Sequence, residues 1–143
     1  MITIKTNVNK NSCKLFRGII TNYIESETDA DMCALTINEI RACISEVISN
    51  VLVHAYPDSD NKPVTVTIDH IVEDDITKLV IVVEDNGIGM MDVKKCMEPT
   101  FTTVSDESRL GLGFTILETM SDNLLVTSNP NSGTRVEITK VLY

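Results

Sequence analysis

The sequence predicts an α+β domain in which helices cover one face of a β-sheet. Short segments are strand-like, by alternation at the N-terminus and by their valine and isoleucine content further on, and longer segments repeat apolar residues at helical spacing. The predicted order, β-α-α-β-β-loop-α-β-β, groups the strands with few crossovers. With 143 residues and 43% apolar composition, the chain fits a single domain over residues 1–143 with one core.

The first half of the chain contains one predicted strand and two predicted helices. Residues 1–6 alternate as a short strand does. Beyond Asn11, a residue suited to an N-cap, apolar residues recur at helical spacing. The acidic stretch 25–31 ends this helix, and a second helix is predicted from about Ala30 to Tyr56, where a proline follows.

The second half is predicted to add four strands and two helices. Residues 57–63 are rich in proline, aspartate and asparagine, which indicates a loop. The predicted elements are strands at 64–72 and 78–84 around an acidic turn, a short helix at 92–97, a helix at 111–121, and a hairpin of strands 124–127 and 134–141. Residues 98–110 show no clear period.

Composition and charge exclude several classes of protein. The net charge of −9, without a lysine and arginine cluster, argues against nucleic-acid binding. There is no apolar run of membrane-spanning length and no basic-then-apolar secretion pattern at the N-terminus. The cysteines lack the close spacing of a zinc or disulfide framework; they are Cys13, Cys33, Cys43 and Cys96. We therefore expect a soluble protein of the reducing cytoplasm that binds neither nucleic acid nor membrane.

The second predicted helix has a polar stripe of unusual composition. Steps of about 100° per residue place Glu39, Glu46, Asn50 and His54 on one side of it. Val53 lies on the same side, which favours a pocket over a solvated helix face, the alternative for a lone Glu-x-x-x-Asn pattern. In a pocket, the Asn50 amide oxygen could coordinate Mg²⁺ and Glu46 could accept a proton from a hydroxyl. For His54, capping or packing is favoured over catalysis.

A glycine-rich segment follows the strand predicted at 78–84. Asp85, Gly87 and Gly89 occupy the pattern Asp-Asn-Gly-Ile-Gly, in which the glycines allow positive φ and close approach of another group. At the end of a strand, Asp85 could accept a hydrogen bond from an exocyclic amine such as that of adenine. An ordinary turn is the alternative interpretation.

A second glycine pair, Gly111 and Gly113, stands at the start of a predicted helix, where free N–H groups favour an anion. The pattern is neither a Walker A loop nor a Rossmann fingerprint. The preceding segment, 98–110, is interpreted as a mobile lid over phosphates, with Arg109 as a candidate for binding their charge. A surface arginine is the alternative for Arg109.

Taken together, these segments resemble the N, G1 and G2 boxes of the GHKL ATPase superfamily, which includes gyrase, MutL and histidine kinases. A closer resemblance, over nearly the whole chain, is to anti-sigma factor serine kinases of the anti-sigma-F type. The segments that carry it are 45–50, 54–56, 99–103, 111–118 and 133–134. The resemblance implies a two-layer α/β sandwich of the Bergerat type, with a mixed, mostly antiparallel sheet and helices on one face.

The resemblance also implies ATP and Mg²⁺ as cofactors and a role for each candidate residue. Glu46 would be the general base and Asn50 the magnesium ligand. The residues implied at the nucleotide are Asn50, Asp85, Gly87, Gly89, Thr102, Thr103, Arg109, Gly111, Gly113 and Thr134. Among these, Asp85 and Thr134 would hold adenine. Arg17 would contact the protein partners.

Members of that family are dimers that hold a sigma factor away from RNA polymerase and phosphorylate a serine on a small anti-anti-sigma protein of the STAS type. The same partners and a homodimer are expected here, with sporulation and general stress both open as the setting. Two residues depart from the family's pattern. Val104 in the predicted lid bears on how tightly the lid binds, and Arg135, after Gly133-Thr134, bears on the contacts to adenine.

Two alternative functions remain at this point. One is a sigma-binding module that uses ATP only to hold its shape, without phosphotransfer. The other is the catalytic half of a histidine kinase. The chain lacks the phosphoacceptor histidine on a dimerising helix hairpin that a histidine kinase needs, so the serine kinase is preferred.

Overall fold

The computed structural model describes residues 1–98 and 113–142. Its strands are β1 (Ile2–Asn7), β2 (Pro63–Glu73), β3 (Ile76–Asp85), β4 (Asn123–Ser128) and β5 (Thr134–Val141). Its helices are α1 (Ser12–Glu27), α2 (Ala34–Asn50), α3 (Val93–Met97) and α4 (Gly113–Met120), and a π-helical turn (Val51–Ala55) follows α2 directly. The predicted α+β class and the predicted order of elements are confirmed.

The five strands form one sheet in the order β1-β2-β3-β5-β4, and each neighbouring pair is antiparallel. Only antiparallel pairs occur among the described strands, and the resemblance implied a mixed, mostly antiparallel sheet. Alternation along the central strands buries one face of the sheet. The buried residues of that face include Val64, Val66, Ile68, Leu79, Ile81, Val83, Val136 and Ile138. The residues between them, which include Thr65, Thr67, Val80, Val82 and Glu137, lie on the opposite face.

The helices close the core over the buried sheet face. Helix α2 is the central one, because both α1 and α4 pack against it. The helical residues that are fully or almost fully buried include Phe16, Ile20, Ile40, Ile44, Val47, Ile48 and Leu117. Each such aliphatic or aromatic side chain contributes about 1.5–3 kcal/mol through burial. The apolar sides of the helices and the apolar side of the sheet therefore form a single core.

The end of the second helix differs from its prediction. An uninterrupted helix to Tyr56 was predicted, but the last turn, Val51–Ala55, is π-helical. Lys62 Nζ donates to the Leu52 carbonyl at 2.7 Å, and the Ile88 amide donates to the Ala55 carbonyl at 2.9 Å. These groups from outside the helix satisfy carbonyls that a helix end leaves without partners.

Other boundaries shift by a few residues. Helix α2 begins at Ala34 instead of about Ala30. The turn between β2 and β3 is tighter than predicted, because Asp74 and Asp75 both adopt positive φ, at 51° and 64°. The two strands therefore extend further along the chain than the alternation indicated.

Two of the expectations concern membrane-spanning helices and disulfide bonds. No helix in the described ranges is long and apolar enough to cross a membrane. The cysteines form no disulfide in the described part of the chain, and burial raises the pKa of the Cys43 thiol to about 11. Cys43 is therefore a protonated core residue at neutral pH.

Candidate functional site

One end of the candidate site lies where α2 meets the first residue of α4. A Cβ placed on Gly113 would lie 3.0 Å from Glu46 Oε2 and 3.6 Å from both terminal atoms of the Asn50 amide. Glu46 and Asn50 are one turn apart on α2, so their side chains converge on the same helix end. The first N–H groups of a helix have no partner within it and favour an anion. We call Glu46, Asn50 and Gly113 the phosphate end, after the role proposed for them below.

The other end of α4 is held by a lysine that the sequence analysis did not single out. Lys140 is only 8% exposed, and its Nζ lies 2.7 Å from Glu39 Oε2 on α2. The same Nζ donates to the Met120 carbonyl, in the last residue of α4, at 2.8 Å. Burial lowers the pKa of Lys140, but Glu39 and Asp122 outweigh it, so the pKa is raised and the lysine is charged.

Lys140 could have been found from the alternation pattern. It follows Val136 and Ile138 at two-residue spacing on β5, so the pattern places a charge on the buried face. A charge in that position requires a partner. The polar stripe of α2 supplies it through Glu39.

The second part of the candidate site lies at the ends of β3 and β5. The Gly87 amide donates to Asp85 Oδ1 at 2.9 Å, and Asp85 pairs with Thr134 across the two strands. Burial raises the pKa of the Asp85 carboxyl, although the backbone amides of Gly87 and Thr134 act in the opposite direction. We call Asp85, Gly87, Gly89, Gly133 and Thr134 the base end, after the adenine contact proposed below.

The glycines of the base end lie against backbone carbonyls. A Cβ on Gly87 would lie 2.2 Å from the Ala55 oxygen, and one on Gly89 would lie 2.0 Å from the Asn129 oxygen. Gly89 also has a φ of +68°. These contacts pack the segment after β3 between the π-helical turn and the β4–β5 connection. Side chains larger than hydrogen have no room at either glycine.

A serine that the sequence analysis missed joins the parts of the base end. Ser128 Oγ accepts from the Met90 amide at 2.8 Å and donates to the Gly133 carbonyl at 2.9 Å. It also lies 2.8 Å from Thr134 Oγ1. A serine hydroxyl has one proton, so Thr134 is the donor in this last bond and its lone pairs remain available as acceptors. No pattern in the sequence distinguished Ser128 from other strand-end serines.

Tyr56 provides a similar connection on the other side of the base end. Its hydroxyl donates to the Pro63 carbonyl at 2.6 Å and accepts from the Asn86 amide at 2.8 Å. His54, the fourth residue of the predicted polar stripe, is half-buried within the π-helical turn. The wider turn changes the angular spacing on which its place in the stripe rested.

The remaining predicted residues lie elsewhere or outside the described ranges. Arg17 lies on α1, and its Nη1 donates to Ser45 Oγ on α2 at 3.1 Å. Ser45 directly precedes Glu46 in the chain. Its part in partner contact stays a prediction. The predicted residues outside the described ranges are Thr102, Thr103, Arg109 and Gly111.

The donor set fits a magnesium ion that is held mainly by its nucleotide. Within residues 1–98 and 113–142, no group of three or more His, Cys, Asp or Glu side chains is arranged to hold a metal ion. Mg²⁺ bound with a nucleotide usually takes one or two protein ligands, and phosphates and water complete its coordination. A single oxygen ligand such as the Asn50 amide is compatible with that arrangement.

Known proteins match both the sequence and the fold. Residues 12–140 match the histidine kinase-like ATPase domain family. The anti-sigma F factor of Clostridium novyi (strain NT) is 36% identical over 135 residues, which are 94% of this chain and 90% of the relative. That of Lysinibacillus sphaericus is 42% identical over 129 residues, which are 90% of this chain and 84% of the relative.

Two solved structures share the fold. The RsbU and RsbW domains of Rv1364c from Mycobacterium tuberculosis align over 99% of this chain and 33% of that one, with a TM-score of 0.63 and 16% identity. The histidine kinase domain of the blue-light activated histidine kinase from Erythrobacter litoralis EL346 aligns over 76% of this chain and 45% of that one, with a TM-score of 0.50 and 26% identity. This chain spans less than half the length of either protein.

The sequence relatives decide the family, because they cover most of both chains at more than 30% identity and agree with the domain match over residues 12–140. The protein therefore belongs to the histidine kinase-like ATPase family and, within it, to the anti-sigma F factors.

Proposed function

We propose that this anti-sigma factor binds an RNA polymerase sigma factor and uses Mg-ATP to phosphorylate a serine on an anti-anti-sigma partner of the STAS type. The observation that carries the kinase assignment is the meeting of Glu46 and Asn50 with the first residue of α4, Gly113. This arrangement brings together a proton acceptor, an oxygen ligand for a metal and a helix end that favours phosphate.

At the phosphate end, each group has a distinct part. A magnesium ion bound with ATP would neutralise phosphate charge. The Asn50 amide oxygen would hold that ion, and the first N–H groups of α4 would orient the phosphates. Glu46 would take the proton from the partner's serine hydroxyl as that oxygen bonds to the terminal phosphorus and the bond from this phosphorus to the departing ADP breaks.

At the base end, the groups that face a nucleotide are hydrogen-bond acceptors. Asp85 offers a carboxylate oxygen, and Thr134 offers its lone pairs because its proton is donated to Ser128. An exocyclic amine, as in adenine, matches these acceptors. The carbonyl oxygen at the corresponding position of guanine would face them with lone pairs, so we propose that the site selects ATP over GTP.

The protein partners are assigned from the relatives and from Arg17. The relatives are named anti-sigma F factors, which supports a sigma factor as the sequestered partner. Arg17 is half-buried at the junction of α1 with α2, where its hydrogen bond to Ser45 fixes the guanidinium. We propose that both protein partners contact Arg17, and that the protein works as a homodimer in the cytoplasm.

The test is the substitution Glu46→Gln, which keeps the shape of the side chain and removes its ability to accept the proton. We expect phosphoserine formation to fall by about 10² to 10⁴, while ATP binding and sigma binding are retained. Rapid-quench measurement of the phosphorylated partner, beside an equilibrium sigma-binding assay, gives both quantities. Glu118→Gln changes an exposed glutamate of α4 and serves as the matched control.

The outcomes separate the kinase from a sigma-binding module that only holds ATP. An unmodified protein that binds ATP and sigma factor but never phosphorylates the partner is such a module. Unchanged phosphotransfer in Glu46→Gln would remove Glu46 from the mechanism. Loss of sigma binding together with phosphotransfer would show that Glu46 controls a nucleotide-dependent shape instead of the chemical step.

A further inference from the structure

One stripe of α2 contacts α4 at both of its ends. Glu46 lies seven residues after Glu39, and Asn50 lies eleven residues after it. At about 100° per residue, the three side chains therefore share one side of the helix. Their separation along the axis is roughly 10–17 Å at 1.5 Å per residue. Helix α4 has eight residues and is therefore about 12 Å long. Its length matches the distance between the two contacts.

The two contacts differ in kind. At the start of α4, Gly113 only approaches the side chains of Glu46 and Asn50, as described above. At its end, the buried Lys140 joins three elements, because its Nζ contacts Glu39 of α2 and the last carbonyl of α4 from strand β5. The C-terminal contact therefore links α4 to α2 by an ion pair and a hydrogen bond, in addition to the packing of α4 on α2.

We propose that Lys140 is a positioning residue for the phosphates of the nucleotide. It sets how far α4 reaches along α2, and thereby where the N–H groups at Gly113 stand relative to Glu46 and Asn50. This inference rests on the proposed function. Because α4 has only about two turns, we expect a shift at Met120 to move Gly113 as well.

The base end has contacts of its own, although Thr134 lies on the same strand as Lys140. Asp85 and Thr134 are held by the pairing of β3 with β5, and Ser128 connects them to the neighbouring segments. A positioning role for Lys140 therefore predicts a selective effect on phosphate binding. A purely structural role predicts lower stability with equal effects on all ligands.

The experiment compares ATP with adenosine, which lacks the phosphates and would contact the base end alone. Both are titrated calorimetrically against the unmodified protein and against Lys140→Met. We expect Lys140→Met to weaken ATP about tenfold and to change adenosine affinity less than about twofold. Glu39→Gln keeps the bond from Lys140 to Met120 and should give a smaller loss. Lys78→Met removes the more exposed Lys78–Glu73 ion pair and should change neither ligand.

A further variant covers the case in which Lys140→Met does not fold, because it leaves Glu39 without its counter-charge. Glu39→Gln combined with Lys140→Met makes the pair neutral, and it should show the same selective loss of ATP affinity. A folded variant that binds ATP as tightly as the unmodified protein, or that loses ATP and adenosine equally, would overturn the inference. An unmodified protein that does not bind ATP would overturn the proposed function, and this inference with it.

Discussion

The base end and the phosphate end use glycine in different ways. At the base end, an added Cβ would lie 1.9 Å from the Asp85 oxygen at Gly133 and 2.2 Å from the Ala55 oxygen at Gly87. At the phosphate end, an added Cβ on Gly113 would meet side-chain atoms of Glu46 and Asn50, at 3.0 and 3.6 Å. Side chains can rotate away, whereas paired backbone cannot. The base end is therefore shaped by the path of the main chain, and the phosphate end by side chains.

The largest expected effect is a loss of stability when a side chain is added at the base end. Gly133→Ala adds a Cβ against the backbone of Asp85 at a φ of +82°, so we expect the free energy of unfolding to fall by about 3 kcal/mol or more. Gly18→Ala is the control, because nothing among the described atoms lies within 4 Å of its Cβ, and alanine should stabilise α1 by up to about 1 kcal/mol. Urea denaturation measures both. Equal stability of the two variants would contradict the backbone argument.

The next largest expected effect is on the affinity for the adenine base of the nucleotide. Asp85→Asn should weaken ATP by about 2 kcal/mol, the scale of a hydrogen bond to a charged group. Without nucleotide, the same variant should melt at a higher temperature, because burial raises the pKa of Asp85 and the ionised form costs stability. Calorimetric titration and thermal melting measure the two changes. Equal affinity of the unmodified protein for ATP and GTP would count against Asp85 as the base-reading group.

A smaller effect is expected when the same kind of glycine substitution is made at the phosphate end. Gly113→Ala should leave stability unchanged or slightly higher, because alanine favours the first turn of α4. Phosphotransfer should fall by about tenfold, since the Glu46 carboxylate must shift by a few tenths of an ångström. Urea denaturation and single-turnover kinetics separate the two quantities. Unfolding of this variant would show that both ends are shaped by the backbone.

The smallest expected effect is a pH dependence that follows from Asp85. Since its pKa is raised in the folded state, its contribution to stability is fully present below the ordinary carboxyl pKa and is lost as pH rises through the raised value. The melting temperature of Asp85→Asn minus that of the unmodified protein should therefore grow with pH through this window and then level off. Thermal melts of both proteins across the acidic range measure the difference. A difference that stays constant with pH would place the titration elsewhere.

The sequence predicted the order of the elements and which residues meet at the phosphate end. Alternation and helical spacing depend on which face is buried, and both faces are visible in the pattern of β2 and α2. Strand β3 is indicated instead by a continuous run of mostly β-branched apolar residues. Helical phase also placed Glu46 and Asn50 on one stripe. Their meeting with Gly113 followed from the family resemblance, because helical phase within one element says nothing about a residue far along the chain.

What could not be predicted depends on contacts between distant segments. The π-helical turn is accompanied by hydrogen bonds from Lys62 and Ile88, neither of which is helical itself. Ser128 acquires its three partners only when β4, β5 and the segment after β3 come together. Lys140 was different, because a charge on the buried side of an alternating strand is a signal that the sequence does contain.

The π-helical turn after α2 has a consequence for how the chain tolerates change in length. Its Leu52 carbonyl accepts from Lys62, and its Ala55 carbonyl accepts from the amide of Ile88. Residues 57–60 are exposed and lie between the π-helical turn and β2. Extra residues inserted there would lengthen a surface loop while α2 and the base end kept their partners. A fluorescent label or affinity tag placed in this loop would report on the protein without entering either end of the site.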